Sequence, residues 1–407
     1  MTPIELTEYR PLTGVGLTAE QAAALVTCDL VSLKPDPAGT WTLTADKGLV
    51  GAARVATRDA DVELRIAPKL PIRRVLFLLG YAQNGLLWQR NPVDAREHLD
   101  LLPAIAFAFA RMADRALAQG VLLGYHTVEE ALPVIRGRIR ESEQMRRRFG
   151  APLPVEVVYD DYSPDIPENQ ILLGATRRLL RLSGLEATTR GLLHRVAARL
   201  DGVSALVPGR PLPHWRPSRL NSRYQGALRL AELVLRGGSY ELDQPHGIRV
   251  DGLMLRMWQI FEDFVTRALA DALTPYDGHC HHQDTGYHLD RARTMQLRPD
   301  LVYYQQGPGG RPVPAAIADA KYKTATTNGT DSDIYQVLAY CTALDLAEGH
   351  LVYAAGTGSA PRIHRIAGSS GITVHQHVLD LDRSPDEVLA QTAHVAERMC
   401  GRIAQLD

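Results

Sequence analysis

The sequence predicts an α/β protein made of three regions, because its hydrophobic periodicity changes twice along the 407 residues. Short alternating runs between turn residues, which are typical of strands, fill residues 1–95. Helical periodicity dominates residues 96–245, and strands and helices mix in residues 246–407. A chain of this length also exceeds one ordinary core. We therefore predict a small β-rich domain, a mainly helical region and a C-terminal α/β domain with these boundaries.

The first region shows its strands most clearly at residues 40–44 and 61–66, where apolar and polar side chains alternate. Pro68 and Pro71 close this region, and a helix-like apolar run begins near Val75. No catalytic constellation occurs here. Binding or assembly is therefore the role that we predict for this domain.

The middle region contains three helical patterns, at residues 99–117, 169–182 and 224–235. Its most basic stretch, residues 136–148, carries six arginines. Such a stretch can contact a phosphate backbone. It can equally be a solvated face balanced by Glu141 and Glu143. The sequence leaves both interpretations open.

The third region contains a predicted β-hairpin with arms at residues 295–304 and 313–322, joined by a glycine-rich turn. Asp300 lies in the first arm, and Asp319 and Lys321 lie in the second. Because side chains alternate along a strand, Asp319 and Lys321 project from the same face. Two carboxylates and an ammonium group can therefore converge at one site.

Carboxylate oxygens are ligands that Mg²⁺ prefers, and this ion usually takes only one or two of them from a protein. A lysine beside such an ion can position a water nucleophile and stabilise developing phosphate charge. Lysine is also rare in this chain, where five lysines stand against 40 arginines. Two of the five, Lys321 and Lys323, stand two positions apart at the end of the second arm; no role is predicted for Lys323.

Helices flank the predicted hairpin. An amphipathic pattern runs from Leu253 to Leu269 and carries Glu262, which can reach the same ion or simply face solvent. After the hairpin, Asp331 or Ser332 can cap a helix that carries Gln336 and Tyr340. These two residues are four apart and therefore share one face. Without the hairpin, a plain helix surface would explain them equally well.

Residues 278–282 read Gly-His-Cys-His-His, which has the composition of a metal site. Adjacent side chains cannot easily converge on one ion, however, and no second ligand pair follows at zinc-finger spacing. We therefore predict a loop between the helix and the hairpin.

Composition excludes several classes of protein. The formal net charge is −1, so any nucleic-acid binding must use a local basic patch. Four widely separated cysteines argue against a disulfide scaffold and favour a reducing compartment, so we predict a cytoplasmic protein. The sequence has no leader-like start and no apolar segment long enough for a bilayer, so we predict no membrane association.

The order of Glu262, Asp300, Asp319 and Lys321 resembles the PD-(D/E)xK nuclease superfamily, and Gln336 with Tyr340 is similar to an element of its RecB-like branch. Four outer segments narrow the resemblance to the McrC family, the nuclease subunits of McrBC modification-dependent restriction systems. These segments are residues 66–70, 132–138, 165–169 and 261–264.

Membership would imply a restriction-endonuclease-like C-terminal domain that cleaves methylated DNA with Mg²⁺. Asp300, Asp319 and Glu262 would bind the metal, Lys321 would orient the attacking water, and Gln336 and Tyr340 would steady the metal site or the DNA. It would also imply a partner, a McrB-like AAA+ GTPase ring, on which the N-terminal part docks.

The chain has no phosphate-binding Gly-x-x-x-x-Gly-Lys-Ser/Thr element, so a motor must be supplied by another protein. Two rival functions stay open at this point. One is a non-cleaving adaptor that activates an AAA+ ring, and the other is a nuclease that acts alone.

Overall fold

A computed structural model describes residues 3–46, 48–56, 61–88, 100–207, 209–236, 249–322, 331–354, 361–367 and 371–401. The chain forms two compact units, one of residues Met1–Leu101 with Tyr240–Asp407 and the other of Leu102–Ser239. The predicted domain boundaries, at 95/96 and 245/246, lie outside the described residues. The three-domain division therefore stays a prediction, whereas the mixed α/β fold class is confirmed.

The strands, in chain order, are β1 (Ile4–Thr7), β2 (Leu12–Val15), β3 (Val31–Pro35), β4 (Trp41–Ala45), β5 (Leu49–Ala56), β6 (Val62–Ala67), β7 (Gly124–Leu132), β8 (Arg138–Ile139), β9 (Val155–Ser163), β10 (Arg249–Arg256), β11 (Gly278–His282), β12 (Leu301–Gln306), β13 (Pro312–Lys321), β14 (Glu348–Ala354), β15 (Arg362–Arg365) and β16 (Thr373–Leu379). The helices are α1 (Ala19–Thr27), α2 (Ile72–Trp88), α3 (Leu101–Leu117), α4 (Glu141–Arg147), α5 (Pro167–Leu180), α6 (Ala187–Arg199), α7 (Gln225–Arg236), α8 (Met257–Leu273), α9 (Asp331–Leu344) and α10 (Pro385–Met399).

The N-terminal part of the first unit is β-rich, as the alternating runs predict. Three strands form the sheet β2-β4-β3, and four form the sheet β1-β6-β5-β10. Apolar side chains from both sheets and from α1 fill one core, in which Leu25, Leu43 and Leu64 are fully buried. This core buries alternate residues of β4 and β6, which explains the period-two pattern in these two strands.

Strand β10 joins sequence-distant parts of the first unit, because it pairs antiparallel with β5 along eight residues. Two glycines permit this close pairing. A Cβ atom on Gly51 would lie 2.2 Å from the Leu253 carbonyl oxygen, and one on Gly252 would lie 2.3 Å from the Ala52 oxygen. Leu253 was predicted in the helix that carries Glu262. That prediction is wrong, because α8 begins only at Met257 and Leu253 lies in β10.

A six-stranded sheet of order β11-β12-β13-β14-β16-β15 forms the rest of the first unit. Strands β12 and β13 are the predicted hairpin, paired antiparallel, whereas β13, β14 and β16 run parallel to one another. Helix α9 packs its Val337 and Tyr340 against Ile317 and Leu351 on one face of this sheet. Helices α8 and α10 pack against each other and contact β13 and β16, respectively.

The histidine-rich segment at residues 278–282 is β11 and not the predicted loop. It pairs antiparallel with β12, with Cys280 opposite Tyr303 and His282 opposite Leu301. The strand forms although none of its residues is β-branched. Pairing with the buried strand β12 therefore outweighs the low strand propensity of this segment.

The second unit combines α3 and α4 to α7 with the antiparallel sheet β7-β9-β8. Asn169 fixes its strand-to-helix junction, because its buried amide donates to the carbonyl oxygens of Leu122 at 2.8 Å and Pro164 at 2.7 Å. Asp165 accepts a hydrogen bond from the Ser204 backbone at 2.9 Å. Asp165 and Asn169 of the outer motif thus hold the start of α5.

Within the described part of the chain, every helix is too short or too polar to cross a lipid bilayer.

Candidate active site

The hairpin β12–β13 brings the predicted carboxylates to one end of the sheet. Asp300 directly precedes β12, and its Oδ2 accepts a hydrogen bond from the Ala320 backbone N–H at 2.8 Å. Asp319 lies one residue earlier in β13, opposite Leu351 of β14. Since Leu351 belongs to the core under α9, Asp319 and Lys321 also face α9.

Lys321 forms an ion pair with Asp319 through its ammonium group. The lysine side chain is 22% exposed, whereas the Asp319 side chain is only 1% exposed. Burial lowers the pKa of Lys321, but the charge and hydrogen bond of Asp319, together with the charges of Asp300 and Asp333, outweigh burial, and the net pKa is raised. Lys321 is therefore a cation in this site.

Both carboxylates have raised pKa values. Burial, followed by the charges of Asp319 and Glu262, raises the pKa of Asp300 to about 8. Burial also raises the pKa of Asp319, although Lys321 acts in the opposite direction. In the described part of the chain, Oδ1 of Asp319 is buried without a hydrogen-bond partner. The site thus holds more buried acid than one ammonium group neutralises.

Glu262 lies on α8 and is half-buried. Its charge contributes to the raised pKa values of both aspartates, so it lies near them. Its Oε1 accepts a hydrogen bond from Gln283 Nε2 at 2.7 Å. Gln283 in turn accepts from the Arg298 guanidinium. Gln283 and Arg298 thus orient Glu262, a role that the sequence analysis missed because these residues form no local motif.

Gln336 and Tyr340 lie on α9, one turn apart. Gln336 Nε2 donates to the Tyr340 hydroxyl at 2.7 Å, and this hydroxyl donates to the Arg298 carbonyl oxygen at 3.2 Å. The charges of Asp319 and Asp300 help to raise the pKa of Tyr340, after burial. The pair therefore holds the backbone that leads into Asp300. All six predicted residues meet at this site.

Asp333 is a further buried acid that the sequence analysis did not select. Its Oδ2 accepts a hydrogen bond from the Tyr353 hydroxyl at 2.7 Å. Its charge acts on the pKa values of both Asp319 and Lys321. The signal was available, because Asp333 stands three residues before Gln336 and so shares its face of α9.

The site fits a divalent cation that completes its shell with water and phosphate. Among the described residues, no three His, Cys, Asp or Glu side chains converge closely enough to hold a metal by themselves. Mg²⁺ usually takes only one or two protein carboxylates and keeps several waters. Asp319 Oδ1 offers a buried oxygen with no partner in the described chain. Lys323 lies outside the described residues.

The basic stretch of the second unit is largely paired with acids. Arg136 contacts Asp161 at 2.7 Å and lies 3.8 Å from the centroid of the Tyr159 ring. Arg146 and Arg147 both pair with Glu143, at 2.7 and 3.0 Å. This pairing favours a charge-balanced surface over a phosphate-binding track, although Glu141 forms no ion pair with another described residue.

The fold and the site together define a mixed α/β protein with a buried acid–lysine cluster on one face of a six-stranded sheet. A family model described as "McrBC 5-methylcytosine restriction system component" matches residues 45–354, which is more than half of the chain. The chain therefore belongs to this family, and the resemblance to McrC is confirmed. Comparison with curated proteins gave no significant match.

Comparison with solved structures supports the fold through one of two matches. The refined half-complex from the tetradecameric assembly of Thermococcus gammatolerans McrB AAA+ hexamers with bound McrC contains a chain that superposes with a TM-score of 0.55 at 17% identity. That match covers 98% of this chain and 100% of the other. The cryo-EM structure of the Thermococcus gammatolerans McrBC complex matches at 20% identity with a TM-score of 0.39, covering 68% and 89%, respectively, which is too low to indicate a shared fold.

Proposed function

We propose that this chain is the DNA-cleaving subunit of a restriction system, a Mg²⁺-dependent endonuclease that acts when assembled with a McrB-like AAA+ GTPase ring. The observation that carries the proposal is the buried pair of Asp300 and Asp319 beside Lys321, in a member of the McrBC family. The family description supports methylated DNA as the substrate. The solved assembly of McrB hexamers with McrC supports the partner.

In this proposal Asp300 and Asp319 hold Mg²⁺, with Glu262 completing the site directly or through water. When bound, Mg²⁺ supplies Lewis acidity to a phosphodiester oxygen and neutralises developing charge. Lys321, anchored by Asp319, orients the attacking water and donates hydrogen bonds toward the phosphate. Gln336 and Tyr340 fix the backbone before Asp300, which keeps the distance between the carboxylates of Asp300 and Asp319 constant.

The test is the variant Asp319→Ala, assayed together with the AAA+ partner, GTP, Mg²⁺ and methylated DNA. We expect cleavage to fall by roughly 10³-fold or more, because a metal ligand is lost. Binding to the partner and stimulation of its GTPase should stay unchanged, since Asp319 is buried in the catalytic sheet. Asp386→Ala removes an exposed carboxylate at the start of α10 and serves as the matched control.

Equal cleavage by Asp319→Ala and the parent would overturn the site. A parent chain that stimulates the GTPase but never cuts DNA would instead identify the adaptor. Robust Mg²⁺-dependent cutting by the purified chain without nucleotide would identify a nuclease that acts alone.

A further inference from the structure

A polar cluster, in which Glu8 and Tyr322 are buried and Tyr9 and Lys69 are exposed, joins the N-terminal strands to the end of the catalytic strand. It consists of Glu8, Tyr9, Lys69 and Tyr322, which we call the Glu8 cluster. Glu8 directly follows β1, and Lys69 lies two residues after the end of β6. Parallel pairing of β1 with β6 therefore brings the two residues together. The Lys69 backbone N–H donates to Glu8 Oε2 at 3.2 Å.

Tyr322 is held by this cluster from two directions. Its hydroxyl donates to Glu8 Oε2 at 3.3 Å, and its backbone oxygen accepts from the Tyr9 hydroxyl at 3.2 Å. The Lys69 ammonium lies 4.2 Å from the centroid of the Tyr322 ring and 5.0 Å from that of Tyr9. A cation over two aromatic faces is a favourable contact that strengthens where water is excluded.

Within the Glu8 cluster, Glu8 and Lys69 each favour the charged form of the other. Glu8 is 1% exposed, and its Oε1 has no hydrogen-bond partner in the described chain. Burial raises the pKa of Glu8 and lowers that of Lys69, and in each case the charge of the other residue opposes the shift. Removing Lys69 would therefore leave a buried carboxylate without its compensating charge.

Tyr322 links the Glu8 cluster to the candidate active site. Tyr322 directly follows Lys321, so the contacts that hold Tyr322 also fix the backbone of the lysine. The Tyr322 ring lies 5.8 Å from the Phe261 ring, and Phe261 directly precedes Glu262 on α8. The Glu8 cluster therefore supports both sides of the candidate active site, from a region that contributes none of its acids or its lysine.

We propose that Lys69 is a positioning residue: through Glu8, Tyr9 and Tyr322 it holds the C-terminal end of β13, so that the N-terminal strands set the place of Lys321. The inference rests on the proposed nuclease function for its catalytic consequence. Its structural part, the fixing of β13, stands independently. Any partner that moves β1 or β6 would then act on the catalytic lysine through these four side chains.

Hydrogen exchange of the purified full chain tests the structural part. The variant Lys69→Met keeps most of the side-chain length but removes the charge, and Lys34→Met does the same at an exposed position in β3. We expect about tenfold faster exchange in peptides that cover residues 313–322 in Lys69→Met alone. Exchange in α9 should not change. Equal exchange at residues 313–322 in Lys69→Met and the parent overturns the proposal.

Cleavage kinetics of the complex with the AAA+ partner test the catalytic part. We expect kcat of Lys69→Met to fall 10- to 100-fold with KM for DNA unchanged, because displacement of a catalytic group costs rate more than binding. Lys69→Arg keeps the charge and should restore much of this loss. If Lys69→Met does not fold, Tyr322→Phe removes only the hydroxyl and should lower kcat in the same way.

Equal defects in Lys69→Met and Lys69→Arg, or an unchanged kcat in both Lys69→Met and Tyr322→Phe, overturn the positioning role. Failure of the proposed function is distinguishable, since it appears as absence of cleavage by the parent chain. The hydrogen-exchange comparison then still decides whether Lys69 fixes β13.

Discussion

The two faces of the six-stranded sheet both bury ionisable groups, but they do so in different ways. On the face under α9, Asp300 and Asp319 share one lysine, and an oxygen of Asp319 lacks a partner within the described chain. On the opposite face, His350 and His377 form a hydrogen bond of 3.0 Å between their rings. Two neutral imidazoles hydrogen-bond to each other, whereas the described residues place one ammonium group beside the two carboxylates.

The pKa shifts of the two faces therefore run in opposite directions. Burial raises the pKa of Asp300 to about 8, and burial with the charge of His375 lowers the pKa of His377 to about 3. In both cases burial disfavours the charged form. The difference between the faces is that the histidines are neutral when buried, whereas two carboxylates on the other face compete for one described lysine.

The largest expected effect is on the response to Mg²⁺, and the variant Asp300→Asn measures it. Saturating Mg²⁺ should stabilise the parent by about 3 kcal/mol at 100 times its Kd, and the variant should lose most of that gain. Without metal at pH 8, the variant should be at least as stable as the parent, because one buried acid has been removed. Urea denaturation with Mg²⁺ and with a chelator gives both quantities.

Asp386→Asn, which alters an exposed carboxylate, should keep the full Mg²⁺ response. The pH dependence of folding stability tests the direction of the pKa shift of Asp300. A raised pKa in the folded state gives Asp300 a stabilising contribution that is complete below its ordinary pKa near 3.8 and is lost as the pH rises toward 8. The advantage of Asp300→Asn without metal should therefore grow between pH 5 and pH 8, and an advantage that shrinks would contradict the raised pKa.

The contribution of the histidine face to folding stability should change with pH in the opposite direction and by a smaller amount. His377 has a lowered pKa, so its contribution is intact above about pH 6.5 and is lost as the pH falls toward 3. Between pH 7 and pH 5.5 this group should cost the parent about 1 kcal/mol. His377→Gln should remove that loss, as measured by denaturation at both pH values.

His394→Gln offers the matched control, because His394 lies on α10 with its side chain 64% exposed. It should behave as the parent does. Cleavage at neutral pH by folded His377→Gln should stay within a few-fold of the parent. A large loss of cleavage would mean that the two faces are not independent.

Local parts of the fold could be predicted from the sequence, because local chemistry determines them. The turn between β12 and β13 contains Gly309 at a φ of 77°, which only glycine adopts without strain. Helix α10 begins with the Ser384 and Glu387 capping box, a local signal that is visible in the sequence. The candidate site residues Asp300, Asp319 and Lys321 were selected from the sequence because their motif is short and local.

Long-range pairing could not be predicted in the same way. Strand β10 pairs with β5 across about 200 residues of chain, and neither strand carries a local sequence signal that identifies its partner. Gln283 joins the site through a side-chain contact with Glu262 that depends on the assembled sheet. The Glu8 cluster was missed for the same reason, although Lys69 is one of only five lysines.

The smallest expected effect concerns the helix that covers the acid face. Tyr340→Phe removes a hydroxyl that bridges Gln336 and the Arg298 backbone, at 2.7 and 3.2 Å. Loss of these contacts should lower stability by about 1 kcal/mol and cleavage by about 3- to 10-fold, since the backbone before Asp300 loses one support. Tyr335→Phe on the same helix, 69% exposed, is the control and should change neither. If Tyr340→Phe lowers stability without changing cleavage, α9 acts on the sheet only as packing, and the acid face is held in place by β12 and β13 alone.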